Sequence, residues 1–271
     1  MSAEADRKFF IGAGRALGGA TIFALPMLMT KEMWELGGHL DPHRIVVLLL
    51  ATLPMLVFLS AYSGFEETAQ LFHDVVDAFV AIALAAIAAA VVLALIAVFR
   101  PGVSQREWLG MLALQIVPAS IGALLAQSQL GADGEKGNTE IDHDDPGYLA
   151  ELGLMAAGAL FLGFNIAPTE EVLLIATKMT DVHMLLLVLV SVLVMHGFVF
   201  AVEFRGHHAG KASGALLRFS VPGYCIAFIV SAFVLWSFGR FDGASVDEWM
   251  RLSAVLAFPS AIGAAAARLV L

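Results

Sequence analysis

Long apolar runs separated by short polar stretches organise this chain. Eight of them carry few charges and run for about 20 residues, the length a helix needs to cross roughly 30 Å of hydrocarbon. They fall at about 9–30, 45–62, 78–99, 108–126, 148–166, 184–204, 219–238 and 249–271. Their apolar positions are continuous, whereas barrel strands alternate over about ten residues. The pattern therefore predicts an all-α fold, a polytopic integral membrane helical bundle of about eight transmembrane helices. A polar loop, 127–147, separates the fourth and fifth runs. Arg100-Pro101-Gly102 is read as the stop after the third run, because proline cannot continue a helix and glycine accepts the turn. Arg205-Gly206 is read likewise after the sixth. Trp34, Trp108, Trp236 and Trp249 stand near run ends, where an amphipathic ring prefers the membrane interface. Small residues at Gly18-Gly19-Ala20, 85–90 and 263–267 predict close helix packing.

Two stretches between runs look like copies: Ser63-Gly64-Phe65-Glu66-Glu67-Thr68 and Ala167-Pro168-Thr169-Glu170-Glu171-Val172. A shift of 104 residues lays Glu66 on Glu170, Glu67 on Glu171 and Asp77 on Asp181. This predicts a three-helix repeat over 9–100, a second copy over 101–205 and a C-terminal helix pair over 206–271. An odd number of spans turns the second copy upside down, as in transporters with inverted repeats. A second match sets Trp108, Pro118 and Gly122 against Trp249, Pro259 and Gly263. It implies parallel copies of four helices, and both parses stay open.

Composition agrees with a membrane protein. The chain has 271 residues, is 59% hydrophobic and carries a net charge of −9, with a mean hydropathy of +0.84. An acidic chain disfavours nucleic acid as a partner, since that needs a basic face. The single cysteine, Cys225, excludes a disulfide within one chain and a thiolate metal cluster. The polar stretch before the first run lacks a cleavage site, so that run is expected to act as its own insertion signal. Lys and Arg are equal in number on the two sides of an eight-span chain, six each, and do not orient it. Arg7, Lys8 and Arg15 around the first span lean towards cytoplasmic termini.

Acidic residues near hydrocarbon are costly and are functional candidates by default. On a helix, Glu66, Gln70, His73 and Asp77 share a face, with Glu67 and Asp74 beside it. Glu170, Thr177 and Asp181 hold the equivalent face of the second stretch. Oxygen donors of this kind suit hard cations such as Ca²⁺, Mg²⁺, Mn²⁺ or Na⁺. A partly desolvated carboxylate can also trade a cation for protons. Thus Glu66, Glu67, Glu170 and Glu171 are candidate metal and proton ligands, with Asp77, Asp181, His73 and Asp74 as entry vestibules. Asn165 could add a carbonyl oxygen, or simply bond backbone freed by Pro168. Capping explains the glutamates equally well: Ser63 and Glu66 form a capping box, and Glu170 and Glu171 complement a helix dipole after Pro168. His196 and Glu203 share a face, as a proton relay or as packed polar groups. The His39, Asp41, His43 set, the acidic loop 133–145 and His207-His208 read first as solvated loops. No HExxH, nucleotide-binding glycine loop or Ser/His/Asp set occurs, so neither an enzyme nor a cofactor is expected.

Three stretches, Ala24-Leu25-Pro26-Met27-Leu28-Met29-Thr30-Lys31-Glu32-Met33-Trp34, Gly64-Phe65-Glu66-Glu67-Thr68 and Ala167-Pro168-Thr169-Glu170-Glu171, resemble an uncharacterised bacterial family of integral membrane proteins. That resemblance spans the chain and implies the bacterial inner membrane, but no activity. More distantly, acidic motifs at helix breaks in inverted repeats are similar to cation/proton and cation/calcium exchangers. Their glycine-, serine- and asparagine-rich motifs are not reproduced here. The expectation is a cation/proton exchanger in the lipid bilayer. The alternatives are a homo-oligomeric cation channel with acidic rings, or a membrane sensor or scaffold that transports nothing.

Overall fold

The structure is a computed structural model that describes residues 3–63, 71–99, 102–131, 148–203 and 216–270. Among these residues there is helix and no strand. In chain order the helices are α1 Ala3–Leu28, α2 Lys31–His39, α3 Pro42–Ser63, α4 Leu71–Leu95, α5 Gln105–Gly131, α6 Tyr148–Ile166, α7 Glu170–Lys178 and α8 Asp181–Glu203. A π-helical turn, Leu216–Ser220, then leads into α9 Val221–Ser237, and α10 Val246–Val270 follows. Eight of these are long and apolar enough to cross a membrane, and they coincide with the eight runs read from the sequence. The short α2 and α7 are the exceptions.

Local chemistry explains the ends. Before α5, Ser104 N–H donates to Glu107 Oε2 at 3.1 Å and Glu107 N–H donates to Ser104 Oγ at 3.3 Å. Before α10, Ser245 and Glu248 repeat this reciprocal cap at 2.6 and 3.3 Å, and in each case two orphan amides are satisfied. The third span stops earlier than expected. Helix α4 ends at Leu95, and Ala97 takes a φ of 56°. Ala97 N–H then reaches Ala94 O at 3.1 Å, and Val98 N–H reaches Leu93 O at 3.0 Å. That paired bonding closes a helix without needing the later proline. Helix α9 closes identically, with Gly239 at a φ of 71° and bonds from Gly239 and Arg240 to Trp236 O and Leu235 O.

The chain forms two compact units, Met1–Asp144 and Asp145–Leu271. In the first, α5 is central and packs against α1, α2, α3 and α4. In the second, α10 is central and packs against α6, α7, α8 and α9. Both central helices carry an internal proline, Pro118 and Pro259. Glycines bring backbones together, as membrane helices require where lipid gives no hydrophobic drive for association. A Cβ on Gly122 would stand 2.7 Å from Gly19 O, at the α1–α5 crossing. Gly158 and Gly263 make the same approach at the α6–α10 crossing.

The compact units therefore part elsewhere than at the expected boundaries, 100 and 205. Helix α5, expected to open a second three-helix copy, packs within the first unit. The correspondence that the helices carry is the tryptophan-proline match, at shifts of 139 to 141: Gly19 with Gly158, Gly122 with Gly263, and Ser104 with Ser245. Each unit holds four candidate spans.

Candidate functional site

The residues expected to form an acidic face meet different fates. Glu66 and Glu67 lie outside the described residues. His73, Asp74 and Asp77 sit on the first two turns of α4. Asp77 accepts a long bond from Ser60 Oγ at 3.5 Å, and His73 packs edge-on against Phe72 with centroids 6.0 Å apart. Glu170 and Glu171 open α7 and are exposed. Thr169 precedes them in extended conformation, but its hydroxyl turns back to Ile166 O at 2.8 Å instead of capping the helix.

The continuous face expected through Glu170, Thr177 and Asp181 does not exist. Helix α7 ends at Lys178, Met179 is extended, and Asp181 begins α8. Thr180 O accepts the first bond of that new helix from Met184 N–H at 3.0 Å, a position threonine favours. Asp181 is instead ion-paired to Arg251 at 2.8 Å. Asn165 donates to Phe161 O at 2.8 Å, one turn back in its own helix. His196 is joined to Ser220 Oγ, 3.0 Å from Nδ1, while the side chain of Glu203 lies outside what is described. His43 pairs with Asp41 at 3.1 Å on an exposed turn, and His39 bonds Glu35 O. The loop 133–145 and His207-His208 fall outside the described residues. Among the described residues no group of three or more His, Cys, Asp or Glu could hold a metal ion.

The second unit contains a cavity of about 650 Å³ that sequence reasoning missed. Helix α7 lines it with Val172, Ala176 and Thr177, and Thr169 just before the helix adds to the lining. The turn after α9 contributes Arg240 and Asp242, and the first turns of α10 contribute Ser245, Asp247, Glu248 and Arg251. Leu173, Leu235 and Leu252 complete an apolar wall.

Two arginines secure α7 at its two ends. Arg240 Nη2 donates to Pro168 O just before the helix. Arg251 Nη1 donates to Met179 O just after it, at 2.6 Å. Arg251 Nη2 also pairs with Asp181 at 2.8 Å and with Asp247 at 3.0 Å. Charged donors on backbone carbonyls are among the stronger hydrogen bonds. The lining holds three carboxylates, Asp242, Asp247 and Glu248, beside these two guanidinium groups, so it is acidic by one formal charge. A partial signal was present in the sequence: Arg251 is a lone cation in the first turns of a membrane run, a placement that asks for acidic partners.

The first unit packs differently at the matching place. There α2 meets α5 through Gly37 and Gly110, whose backbones touch: a Cβ on Gly37 would stand 2.5 Å from Met111 Cα. The matching positions of the second unit are Ala176 and Arg251. A methyl and a guanidinium now stand where two glycines let the helices close, and the cavity lies between α7 and α10.

Eight membrane-length helices, glycine seams between them and tryptophans near the ends of three of them define a polytopic helical membrane protein. The chain belongs to the family described as "Putative integral membrane protein (DUF2391)", which it matches over residues 12–271. Nothing matches among curated proteins or among solved structures.

Proposed function

We propose that this membrane protein is a cation transporter, and that the polar cavity of its second unit holds the solute at one membrane boundary. The observation behind this reading is the acidic lining: Asp242, Asp247 and Glu248 outnumber Arg240 and Arg251 in a concave site at the start of a candidate span. A cleft lined by excess charge of one sign concentrates counter-ions. Glu170 and Glu171, on the exposed first turn of α7, add negative charge next to Thr169 at the cavity wall. Exchange for protons would use the same carboxylates, and the bacterial inner membrane is the proposed location.

The test is flux into proteoliposomes that contain the purified full chain. Inorganic and organic cations are supplied on one side with and without a pH gradient. Parent protein should move a cation faster than protein-free vesicles, and Asp242→Asn should slow it. No cation moving above the protein-free background overturns the proposal. The exposure of Glu170 and Glu171 favours a second reading for those two residues alone, as a contact for a partner at the membrane surface. Unchanged flux in Glu170→Gln, beside lowered flux in Asp242→Asn, would separate them from the solute path.

A further inference from the structure

Where the fifth and seventh spans begin, we infer a binding site for the phosphate of an anionic phospholipid, built on Arg218. Those spans are Tyr148–Ile166 and Leu216–Ser237. The Tyr148 and Phe219 rings stand 5.7 Å apart between centroids, so the two starts lie side by side. The cavity is lined from the other end of the seventh span, by Leu235, and this site is separate from it. The start of a span is the level of the lipid headgroups, where aromatic rings and snorkelling arginines settle.

The π-helical turn Leu216–Ser220 decides which side chains face outward. Phe219 and Ser220 are buried, whereas Leu217 and Arg218 are exposed. The Arg218 guanidinium carbon lies 5.7 Å from the Tyr148 ring centre and 5.4 Å from that of Phe219. An aromatic face attracts a cation at distances up to about 6 Å. The rings hold the planar group yet use none of its N–H donors. Among the described residues Arg218 takes no ion pair and no hydrogen bond, and the Tyr148 hydroxyl takes no hydrogen bond either. The one carboxylate of α6, Glu151, has its Oε2 buried and makes contacts of its own.

The result is a positive charge, a planar fork of donors and a phenol hydroxyl on an apolar surface. Beside Tyr148, Leu149 is 80% exposed, and beside Arg218, Leu217 is 72% exposed. A guanidinium gives a phosphate two parallel hydrogen bonds, and the two leucines offer acyl chains an apolar bed. An anionic lipid is favoured over a zwitterionic one, because it has no ammonium of its own beside the phosphate. The chain as a whole carries a charge of −9, which repels anionic headgroups, so the attraction has to be local to this site.

The experiment titrates the delipidated full chain, in one mild detergent, with dioleoyl phosphatidylglycerol or dioleoyl phosphatidylcholine. Bound lipid is counted by native mass spectrometry, and inorganic phosphate is then added as a competitor. Saturable binding of phosphatidylglycerol is expected, tighter than that of phosphatidylcholine. Arg218→Gln should weaken it about tenfold, as loss of charge-assisted bonds implies. Arg218→Lys keeps the charge but not the fork, and should bind less tightly than the parent. Arg106→Gln removes an exposed arginine from the first turn of α5 and should leave the affinity unchanged. Equal affinity for the two lipids, or unchanged affinity in either Arg218 variant, overturns the inference. Equal weakening by Arg106→Gln and Arg218→Gln also overturns it, because surface charge alone would then attract the lipid. Inorganic phosphate that displaces phosphatidylglycerol at matching concentration would make the ligand a free anion and overturn the lipid assignment.

Discussion

Two adjacent glycines in α1 give the sharpest test of the packing. A Cβ on Gly19 would collide with Gly122 O and with Ala126 Cβ, whereas a Cβ on Gly18 meets nothing within 4 Å. Both residues are helical, so Gly→Ala brings the same intrinsic helix preference at each, up to about 1 kcal/mol. That common gain cancels in the difference between the variants. What remains is the cost of forcing two backbones apart, about 1–3 kcal/mol for overpacking. The neighbouring atom is a carbonyl, which cannot swing aside like a side-chain end, so the upper half of that range applies. For chains of this size, about 2–4 °C of Tm accompanies each kcal/mol, so Gly19→Ala should melt roughly 4–12 °C below Gly18→Ala. The assay is thermal melting of the purified protein in one mild detergent, followed by size exclusion. The second unit supplies a replicate, with Gly158→Ala in place of Gly19→Ala and Gly197→Ala, also in open space, as its partner. Equal Tm values for Gly18→Ala and Gly19→Ala would refute the α1–α5 seam.

Three further variants test particular bonds. Arg251→Met should cost about 2–4 kcal/mol, chiefly from the charged bond to Met179 O, whereas Asp181→Asn should cost under about 1 kcal/mol because that carboxylate is 73% exposed; hydrogen exchange across α7 reads the difference. Ser245→Ala and Ser104→Ala should each lose about 1 kcal/mol, the usual worth of an N-cap hydroxyl, and their Tm shifts should match. Ser231 Oγ donates to Ser260 Oγ at 2.9 Å in the buried α9–α10 contact, so either alanine variant leaves an unpaired hydroxyl, and the double variant should melt above the sum of the two losses.

The bundle was legible because its signal is long and redundant. Eight apolar runs each exceed what a folded soluble segment carries, and all eight became helices. Of the two internal matches, the tryptophan-proline one lays α5 on α10. Trp108, Pro118 and Gly122 match Trp249, Pro259 and Gly263 along those two central helices, where Gly122 and Gly263 stand at close backbone crossings. The acidic match at a shift of 104 aligned Asp77, the seventh residue of α4, with Asp181, the first residue of α8. Charges placed alike along a chain need not sit alike on helices, since a break such as Met179-Thr180 resets the phase. The cavity was not legible, because it arises from how closely α7 approaches α10. A spacing of Ala176 and Arg251 says nothing of that until Gly37 and Gly110 are seen touching in the other unit.

That contrast can be tested by reversing it. Replacing both Ala176 and Arg251 with glycine gives the second unit the residues with which the first closes α2 onto α5. Two interior glycines cost up to about 2 kcal/mol of helix preference, and the bonds to Met179 O and Asp181 are lost as well. The closer approach of α7 to α10 would return part of that through backbone packing, which is how small residues stabilise membrane helices. A cysteine at Thr177 reports the result, because that residue lines the cavity and is exposed. The background must first be cleared with Cys225→Ser, since Cys225 is a free, exposed thiol. In the Ala176 and Arg251 parent, Thr177→Cys should react readily with a bulky polar maleimide. In the double-glycine variant the reaction should slow several-fold, while the size-exclusion profile stays monodisperse. A folded variant with an unchanged rate would mean that the two side chains do not hold the cavity open.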